Sequence, residues 1–150
     1  MLQQDRFKSQ TGTYALVFEC RDTRFVEIGK LGPLKLIPGY YVYVGSAFGT
    51  GGIRARMARH LASGRRPHWH VDYIKPHCTL SAIWVEYSVR KCESTWARIL
   101  LQSEQASIPL FGFGASDTPN ASHLFYFSSR PPPALLPATH HIDVQIPATN

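Results

Sequence analysis

The segment Tyr41–Leu61, YVYVGSAFGTGGIRARMARHL, reads as a strand, a turn and a helix. It begins as a strand in which tyrosines and valines alternate, so the two kinds of side chain lie on opposite faces of a sheet. A glycine-rich turn follows, and then a basic helix from about Ile53 to Ser63. The apolar stripe of this helix is Ile53, Met57 and Leu61, with arginines along its border. Such a unit can present a phenol and a guanidinium to one phosphate.

The composition is that of one compact globular domain. The chain has 150 residues, of which 44% are hydrophobic and 17% charged, and this balance excludes a disordered protein. The net charge of +6 and the arginines clustered between positions 54 and 66 indicate an anionic partner such as DNA. A solvated basic helix is the alternative interpretation. The side chains predicted to bind nucleic acid are Arg54, Arg59, Arg65, Arg66, His68 and His70.

The cysteines and the first residues bear on the cellular location. Cys20, Cys78 and Cys92 are odd in number and lack CxxC spacing, which predicts reduced thiols in a reducing compartment. The polar start, MLQQDRFKSQ, is neither a signal peptide nor a membrane anchor, and no apolar run is long enough to span a bilayer. We therefore expect a cytoplasmic protein without a membrane partner.

Local patterns predict the other elements. Strands are expected at 12–20, 24–28, 79–87 and 123–127, and a helix at 91–102. HWHVDYI at 68–74 fits a strand or a helix, because periodicity over so few residues cannot decide. The organisation predicted is a polar leader at 1–11, a domain at 12–127 and a proline-rich extended tail at 128–150.

Two arginine-helix residues and two tyrosines are candidates for chemistry. Arg56 and His60 are four residues apart on one border of the apolar stripe, where they can reach a cleft while the helix stays docked. Tyr14 and Tyr43 lie in neighbouring predicted strands, each close to a glycine. A phenol is a poor base at neutral pH unless nearby cations lower its pKa. The alternatives are an exposed arginine and tyrosines that only pack.

Glu93 lies on the apolar face of the predicted helix at 91–102, where a carboxylate needs a partner. A single carboxylate suits Mg²⁺, which keeps most of its waters. A buried salt bridge to Arg56 or Arg98 is the alternative.

A second possible metal site consists of His68, His70 and Asp72. Imidazole and carboxylate are ligands for zinc and other transition metals, although an HxH pair without a further ligand is a weak signal. The competing interpretation gives these histidines a structural or substrate-contact role. His123 is too distant along the chain to be added to the set from sequence.

Taken in order, GTY at 12–14, YVG at 43–45, the arginine helix and the later helical glutamate resemble the GIY-YIG nuclease superfamily, which includes excinuclease C and phage homing endonucleases. The chain is most similar to a small branch found alone or fused to endonuclease III. The blocks that carry this similarity are GYYVYVGSA, ARMARHL, HWHVDYI, and GFGASD followed by SHLFYF. They cover nearly all of residues 12–127.

The resemblance implies an α+β domain with a small antiparallel β-sheet flanked by helices. It also implies hydrolysis of a DNA phosphodiester with Mg²⁺ or another divalent cation, in DNA repair with a possible repair partner protein. Tyr14 would be the general base and Tyr43 would hydrogen-bond beside it. Arg56 would hold the scissile phosphate, His60 would assist, and Glu93 would hold the metal. A non-catalytic nucleic-acid-binding module on the same fold is the alternative.

The chain also departs from the superfamily pattern. Tyr14 and Tyr43 have 28 residues between them, far more than usual, which predicts an inserted hairpin or loop from about Arg21 to Pro38. The superfamily's late asparagine has no secure counterpart, and the candidates are Asp117, Asn120 and Ser122.

Overall fold

The structure, a computed structural model, describes residues 3–115 and 120–146. The helices are α1 (Gly52–Leu61) and α2 (Glu93–Gln102). The strands are β1 (Gly12–Cys20), β2 (Arg24–Glu27), β3 (Pro33–Leu36), β4 (Gly39–Ala47), β5 (Thr79–Tyr87), β6 (Ala106–Ser107), β7 (Leu124–Phe127) and β8 (His140–Ile146). Short 3-10 helices occupy Gln3–Arg6, Gly29–Leu31, His70–Tyr73, Lys75–His77 and Pro133–Leu135.

The strands form one large antiparallel sheet and one small hairpin. The large sheet has the order β6-β7-β4-β1-β5-β8, with β1 paired antiparallel to both β4 and β5. The hairpin β2–β3 is the predicted insertion between the first strands of the sheet. The α+β prediction with an antiparallel sheet is therefore confirmed.

Alternation along the central strands builds a core on each face of the sheet. Tyr14 and Tyr43 belong to the core that includes Ile53 and Met57 of α1, whereas Val17 and Val42 belong to the core of α2. A strand buried on both faces reads as a nearly continuous apolar run, as β1 does. Each large apolar side chain buried in this way contributes roughly 1.5–3 kcal/mol.

The polar leader holds the start of α1. The backbone N–H groups of Ile53 and Arg54 donate to the carbonyls of Gln10 and Lys8, at 2.8 and 3.0 Å. The first N–H groups of a helix lack acceptors within the helix, and the leader supplies acceptors for two of them. Phe7 is also buried, which ties the leader to the core.

The predicted extended tail at 128–150 is wrong for residues 140–146. These form β8, which pairs with β5 and completes the sheet edge, and Leu136 and Val144 are buried. The alternation of Ile142 with Val144 is a strand pattern, but the prolines before it suggested a tail. Residues 147–150 lie outside the described part of the chain.

The prediction of three reduced cysteines is also wrong. Cys20, at the end of β1, and Cys78, just before β5, form a disulfide with Cα atoms 4.8 Å apart, and Cys92 is the free cysteine. The antiparallel pairing of β1 with β5 brings these two positions together although 58 residues separate them.

In the part of the chain that the structure describes, no helix is long and apolar enough to cross a membrane.

Candidate active site

An open cleft of about 400 Å³ lies where β1 begins and β4 ends. Tyr14, Tyr43, Arg56 and Glu93 line it, and His60 lies directly behind Tyr14. The five side chains predicted as catalytic residues and metal ligand are thus brought together. Ser46, Phe48, Trp69 and Lys91 complete much of the wall.

The register of the sheet positions Tyr14. Tyr14 pairs with Gly45 across the β1–β4 ladder, and a Cβ at Gly45 would collide with the Tyr14 ring. The glycine therefore leaves room for the phenol to lie across β4. Gly114 does the same for Tyr43, since a Cβ there would lie 2.9 Å from Cε1 of that ring.

Tyr14 and His60 form a buried hydrogen-bonded pair. Tyr14 Oη lies 2.7 Å from His60 Nε2, and the two side chains are 1% and 4% exposed. Burial raises the pKa of Tyr14, an effect that the nearby Arg56 opposes in part. Burial, reinforced by Lys75, holds the pKa of His60 well below its ordinary value.

At neutral pH the raised pKa keeps Tyr14 protonated and the lowered pKa keeps His60 neutral. In the tautomer whose proton is on Nδ1, the phenol donates to Nε2. Among the described residues, this buried Nδ1 has no hydrogen-bond partner. The 2.7 Å hydrogen bond is a path for a proton from Tyr14 Oη to His60 Nε2, although burial disfavours the imidazolium that this transfer forms.

Arg56 is half-buried and anchored at one nitrogen. Its Nη1 donates to the carbonyl of Ser46 at 2.9 Å, and its Cζ lies 4.7 Å from the centroid of the Trp69 ring. A guanidinium has five N–H donors, so others are left for an anion in the cleft.

Glu93 is the first residue of α2, and its side chain lines the cleft. Ser46 Oγ donates to its Oε1 at 2.7 Å, and His123 Nδ1 lies 2.6 Å from its Oε2. Burial alone raises the pKa of Glu93, but the hydrogen bonds from His123 and Ser46 outweigh it, and the pKa lies below its ordinary value. The carboxylate is therefore ionised at neutral pH, and its partners are not Arg56 or Arg98.

His123 is the site residue that sequence reasoning did not place. It lies just before β7, where its carbonyl accepts from the N–H of Val44, and this contact fixes it beside β4. Asn120 Nδ2 lies 3.1 Å from His123 Nε2 and donates to Ser94 Oγ at 2.9 Å. Of the late-asparagine candidates, Asn120 thus joins the Glu93 network, Ser122 bonds to Leu124, and Asp117 lies outside the described residues.

The Glu93 carboxylate fits a cation that takes a single protein ligand. Its side chain is 23% exposed, and two of its roughly four lone-pair positions are occupied by Ser46 and His123. Mg²⁺ keeps most of its waters and needs few carboxylates. The described residues contain no cluster of three or more His, Cys, Asp or Glu side chains that could hold a metal, so any cation here would depend on Glu93 and water.

The Asp72 and His70 side chains are hydrogen-bonded to other partners, and His68 joins them through its backbone N–H. Asp72 Oδ2 accepts from the backbone N–H groups of His68 and Trp69, each at 2.9 Å, and Oδ1 pairs with Lys75 at 2.9 Å. His70 Nδ1 accepts from the N–H of Gly114 at 2.7 Å. The segment is a structural 3-10 turn, neither strand nor α-helix, that presents Trp69 to α1.

The side chains predicted to bind nucleic acid do not all face the cleft. Arg54 pairs with Asp5 at 2.6 Å, on the side of the leader. Arg59 lies with its Cζ 4.6 Å from the Trp69 centroid, and Arg65 and Arg66 follow in the exposed loop after α1. His68 packs edge-on against Trp69.

Comparison with known proteins shows which family the chain belongs to. No curated protein and no solved structure matches the chain significantly. A family model described as "Domain of unknown function DUF123" matches residues 13–144, which is well over half of the chain. The chain therefore belongs to the DUF123 family.

Proposed function

We propose that this protein is a Mg²⁺-dependent DNA endonuclease that hydrolyses a phosphodiester bond, in DNA repair. The observation that carries the proposal is the convergence of a phenol–imidazole pair, a half-buried arginine and an ionised glutamate on one open cleft. This set supplies a proton acceptor, an anion clamp and a hard oxygen ligand, which are the parts that phosphodiester hydrolysis needs.

In the proposed mechanism, the Tyr14–His60 pair activates water. A water in the cleft gives a proton to Tyr14 Oη while Tyr14 gives its own proton to His60 Nε2. The water oxygen forms a bond to phosphorus, and the bond from phosphorus to the leaving sugar oxygen breaks. That oxygen then takes a proton from solvent. This relay avoids a free phenolate, which burial of Tyr14 disfavours. It forms an imidazolium at His60 instead, which burial also disfavours and which the negative charge developing on the phosphate offsets. After cleavage, His60 returns its proton to Tyr14 Oη as Tyr14 releases one to solvent.

Arg56 is the proposed phosphate clamp. The bond from its Nη1 to the Ser46 carbonyl holds the guanidinium at the cleft, and its other donors bind phosphate oxygens as charge develops on them. Lys91 adds a second cation on the same wall. Tyr43 lies next to Tyr14 and restricts where the water can sit.

Glu93 is the residue proposed to hold Mg²⁺. When bound, the ion supplies Lewis-acid polarisation of the phosphate and charge stabilisation of the leaving oxygen. Ser46 and His123 each hold one carboxylate oxygen, so they fix the orientation of Glu93. Asn120 Nδ2 lies 3.1 Å from His123 Nε2, on the side of the imidazole away from Glu93.

The test is cleavage of supercoiled plasmid and of branched oligonucleotides in Mg²⁺ by wild type, Arg56→Ala and Glu93→Gln. We expect wild type to cleave at least one of these substrates and each variant to lose at least about 100-fold in rate. Arg98→Ala is the matched control, because Arg98 is an exposed arginine of α2 outside the cleft, and its rate should be unchanged. Cleavage that survives both cleft substitutions, or no cleavage by wild type in Mg²⁺ or Mn²⁺, would contradict the proposal.

A non-catalytic nucleic-acid-binding module is the second candidate. Two observations favour it. Both Glu93 carboxylate oxygens already have partners within the protein, Ser46 and His123, which compete with a metal ion. The raised pKa of Tyr14 makes the phenolate form, which would be a base, unfavourable. This second candidate predicts salt-sensitive DNA binding without turnover. For both candidates, the nuclease and the binding module, we propose DNA as the partner and a cytoplasmic location. For the nuclease we also propose a DNA-repair partner protein.

A further inference from the structure

Two smaller recesses continue from the cleft along α1. One, of about 160 Å³, shares Arg56 and Trp69 with the cleft and adds Arg59. The other, of about 80 Å³, shares Arg59 with the first. It extends to the basic side chains Arg65, Arg66 and Lys75, and to Asp72, whose carboxylate pairs with Lys75 at 2.9 Å. Because neighbouring recesses share side chains, they form one path, which we name the α1 track.

The middle of the α1 track is an aromatic platform with cations on it. Trp69 is part-exposed, and the guanidinium carbons of Arg56 and Arg59 lie 4.7 and 4.6 Å from its centroid. A guanidinium plane on an indole extends the surface on which a base can stack. At the cleft end, Phe48 is also part-exposed, with Lys91 Nζ 5.7 Å from its centroid.

Stacking surfaces interleaved with cations favour a single strand over a duplex. In a duplex the base faces are already stacked on one another, so only phosphates would meet this surface. In a single strand a base can stack on the cluster around Trp69, where the guanidinium groups of Arg56 and Arg59 and the His60 ring already lie against the indole. The phosphates then contact the arginines beyond it. Recesses of about 160 and 80 Å³ are of the size of a base or a phosphate group.

We infer that the α1 track binds a single-stranded arm of the DNA substrate, with an unpaired base against Trp69 and phosphates on Arg59 and the arginines beyond it. The inference rests on the proposed function, since a scissile phosphate at Arg56 sets where the track begins. The substrate class is therefore DNA with an unpaired strand beside the cut phosphate, such as a flap or a splayed arm.

The test is DNA binding in EDTA, where no cleavage occurs. The probes are a single-stranded oligothymidylate and a blunt duplex of equal length, titrated against the intrinsic tryptophan fluorescence. Trp84 and Trp96 are only 2% and 1% exposed, so quenching reports Trp69. We expect the single strand to quench the emission and to bind at least about tenfold more tightly than the duplex.

Labelled-strand anisotropy then measures the variants. Trp69→Ala should bind the single strand about 5-fold to 150-fold more weakly, whereas Trp69→Phe should keep most of the affinity. Arg66→Ala, an exposed loop change, should also weaken binding, and it keeps the inference testable if Trp69→Ala does not fold. Phe25→Ala is the matched control, because Phe25 is 75% exposed with Lys35 Nζ 5.8 Å from its ring, on the separate hairpin.

Equal affinity for duplex and single strand would overturn the inference, as would loss of affinity in Phe25→Ala equal to that in Trp69→Ala. The readout is independent of turnover. A protein that binds single strands through Trp69 but never cleaves would overturn the proposed nuclease and keep the track. A protein that cleaves DNA but binds duplex more tightly than single strands would keep the proposed nuclease and overturn the α1 track.

Discussion

Gly45 lies opposite Tyr14 in the β1–β4 ladder, and a Cβ there would run into the phenol ring. We therefore expect Gly45→Ala to push Tyr14 away from His60. Overpacking of this kind costs about 1–3 kcal/mol of unfolding free energy, to be measured by urea denaturation. DNA cleavage should fall as well, although the substitution removes no functional group.

Gly49→Ala is the matched control for stability. A Cβ at Gly49 meets nothing within 4 Å, so the expected change is below about 0.5 kcal/mol. Equal destabilisation by the two substitutions would contradict the packing account of Gly45.

His60 gives the protein a specific acid sensitivity. Its pKa in the fold lies well below its ordinary value of 6.5, so below pH 6.5 the unfolded chain binds a proton that the folded chain does not. Its contribution to stability is thus complete above pH 6.5 and is lost as the pH falls towards the folded-state pKa. The maximum slope is about 1.4 kcal/mol per pH unit.

His60→Gln removes this titration and keeps an acceptor for Tyr14. The measurement is urea denaturation at several pH values from 7 downwards, and wild type should lose stability more steeply than the variant. His70 and His77 also have lowered pKa values, but both proteins contain them, so the difference isolates His60. Parallel curves would refute a buried neutral His60.

At the scale of elements, the disulfide ties the end of β1 to the start of β5. Thiol titration of the unfolded protein should find one free thiol before reduction and three after it. Closing a loop with a sequence separation of 58 should stabilise the fold by about 4 kcal/mol in the chain-entropy model. Denaturation of the non-reduced protein, with and without prior reduction, measures this difference.

Three free thiols in protein kept under non-reducing conditions would contradict the pairing of Cys20 with Cys78. A persistent disulfide is more typical of oxidising compartments. The thiol count therefore also bears on the predicted cytoplasmic location.

Elements with a periodic pattern of apolar residues could be predicted from the sequence. Contacts between residues far apart in the sequence could not. The alternation of β1 and β4 and the apolar stripe of α1 were predicted, and Tyr14, Tyr43, Ile53 and Met57 lie in one core. The pairing of Cys20 with Cys78 depends on the register of two strands far apart in sequence. No local pattern encodes such a register.

The same reason limits prediction of the site. Glu93 stood out because a carboxylate on an apolar helix face needs a partner. That partner, His123, comes from a segment whose position is set by its backbone bond to Val44. The role of Asp72 was hidden for a different reason, since a 3-10 turn of four residues has no period to detect.

For the whole molecule, the candidate site residues lie at one end of a two-faced sheet. The core of α1 and the core of α2 lie on opposite faces, and the cleft opens where β1 begins and β4 ends, close to the first turns of both helices. Much of the basic charge continues from this cleft along the α1 track. In a chain of 150 residues, this layout places the proposed phosphate site next to the proposed strand-binding surface.

The central claim is that the Tyr14 hydroxyl takes a proton from the attacking water. The most direct measurement compares wild type and Tyr14→Phe for the Mg²⁺-dependent rate of DNA cleavage and for DNA affinity in EDTA. The substitution removes one oxygen and keeps the buried ring. We expect a fall in rate of about 100-fold to 10,000-fold with unchanged affinity. Cleavage by Tyr14→Phe at the wild-type rate would contradict it.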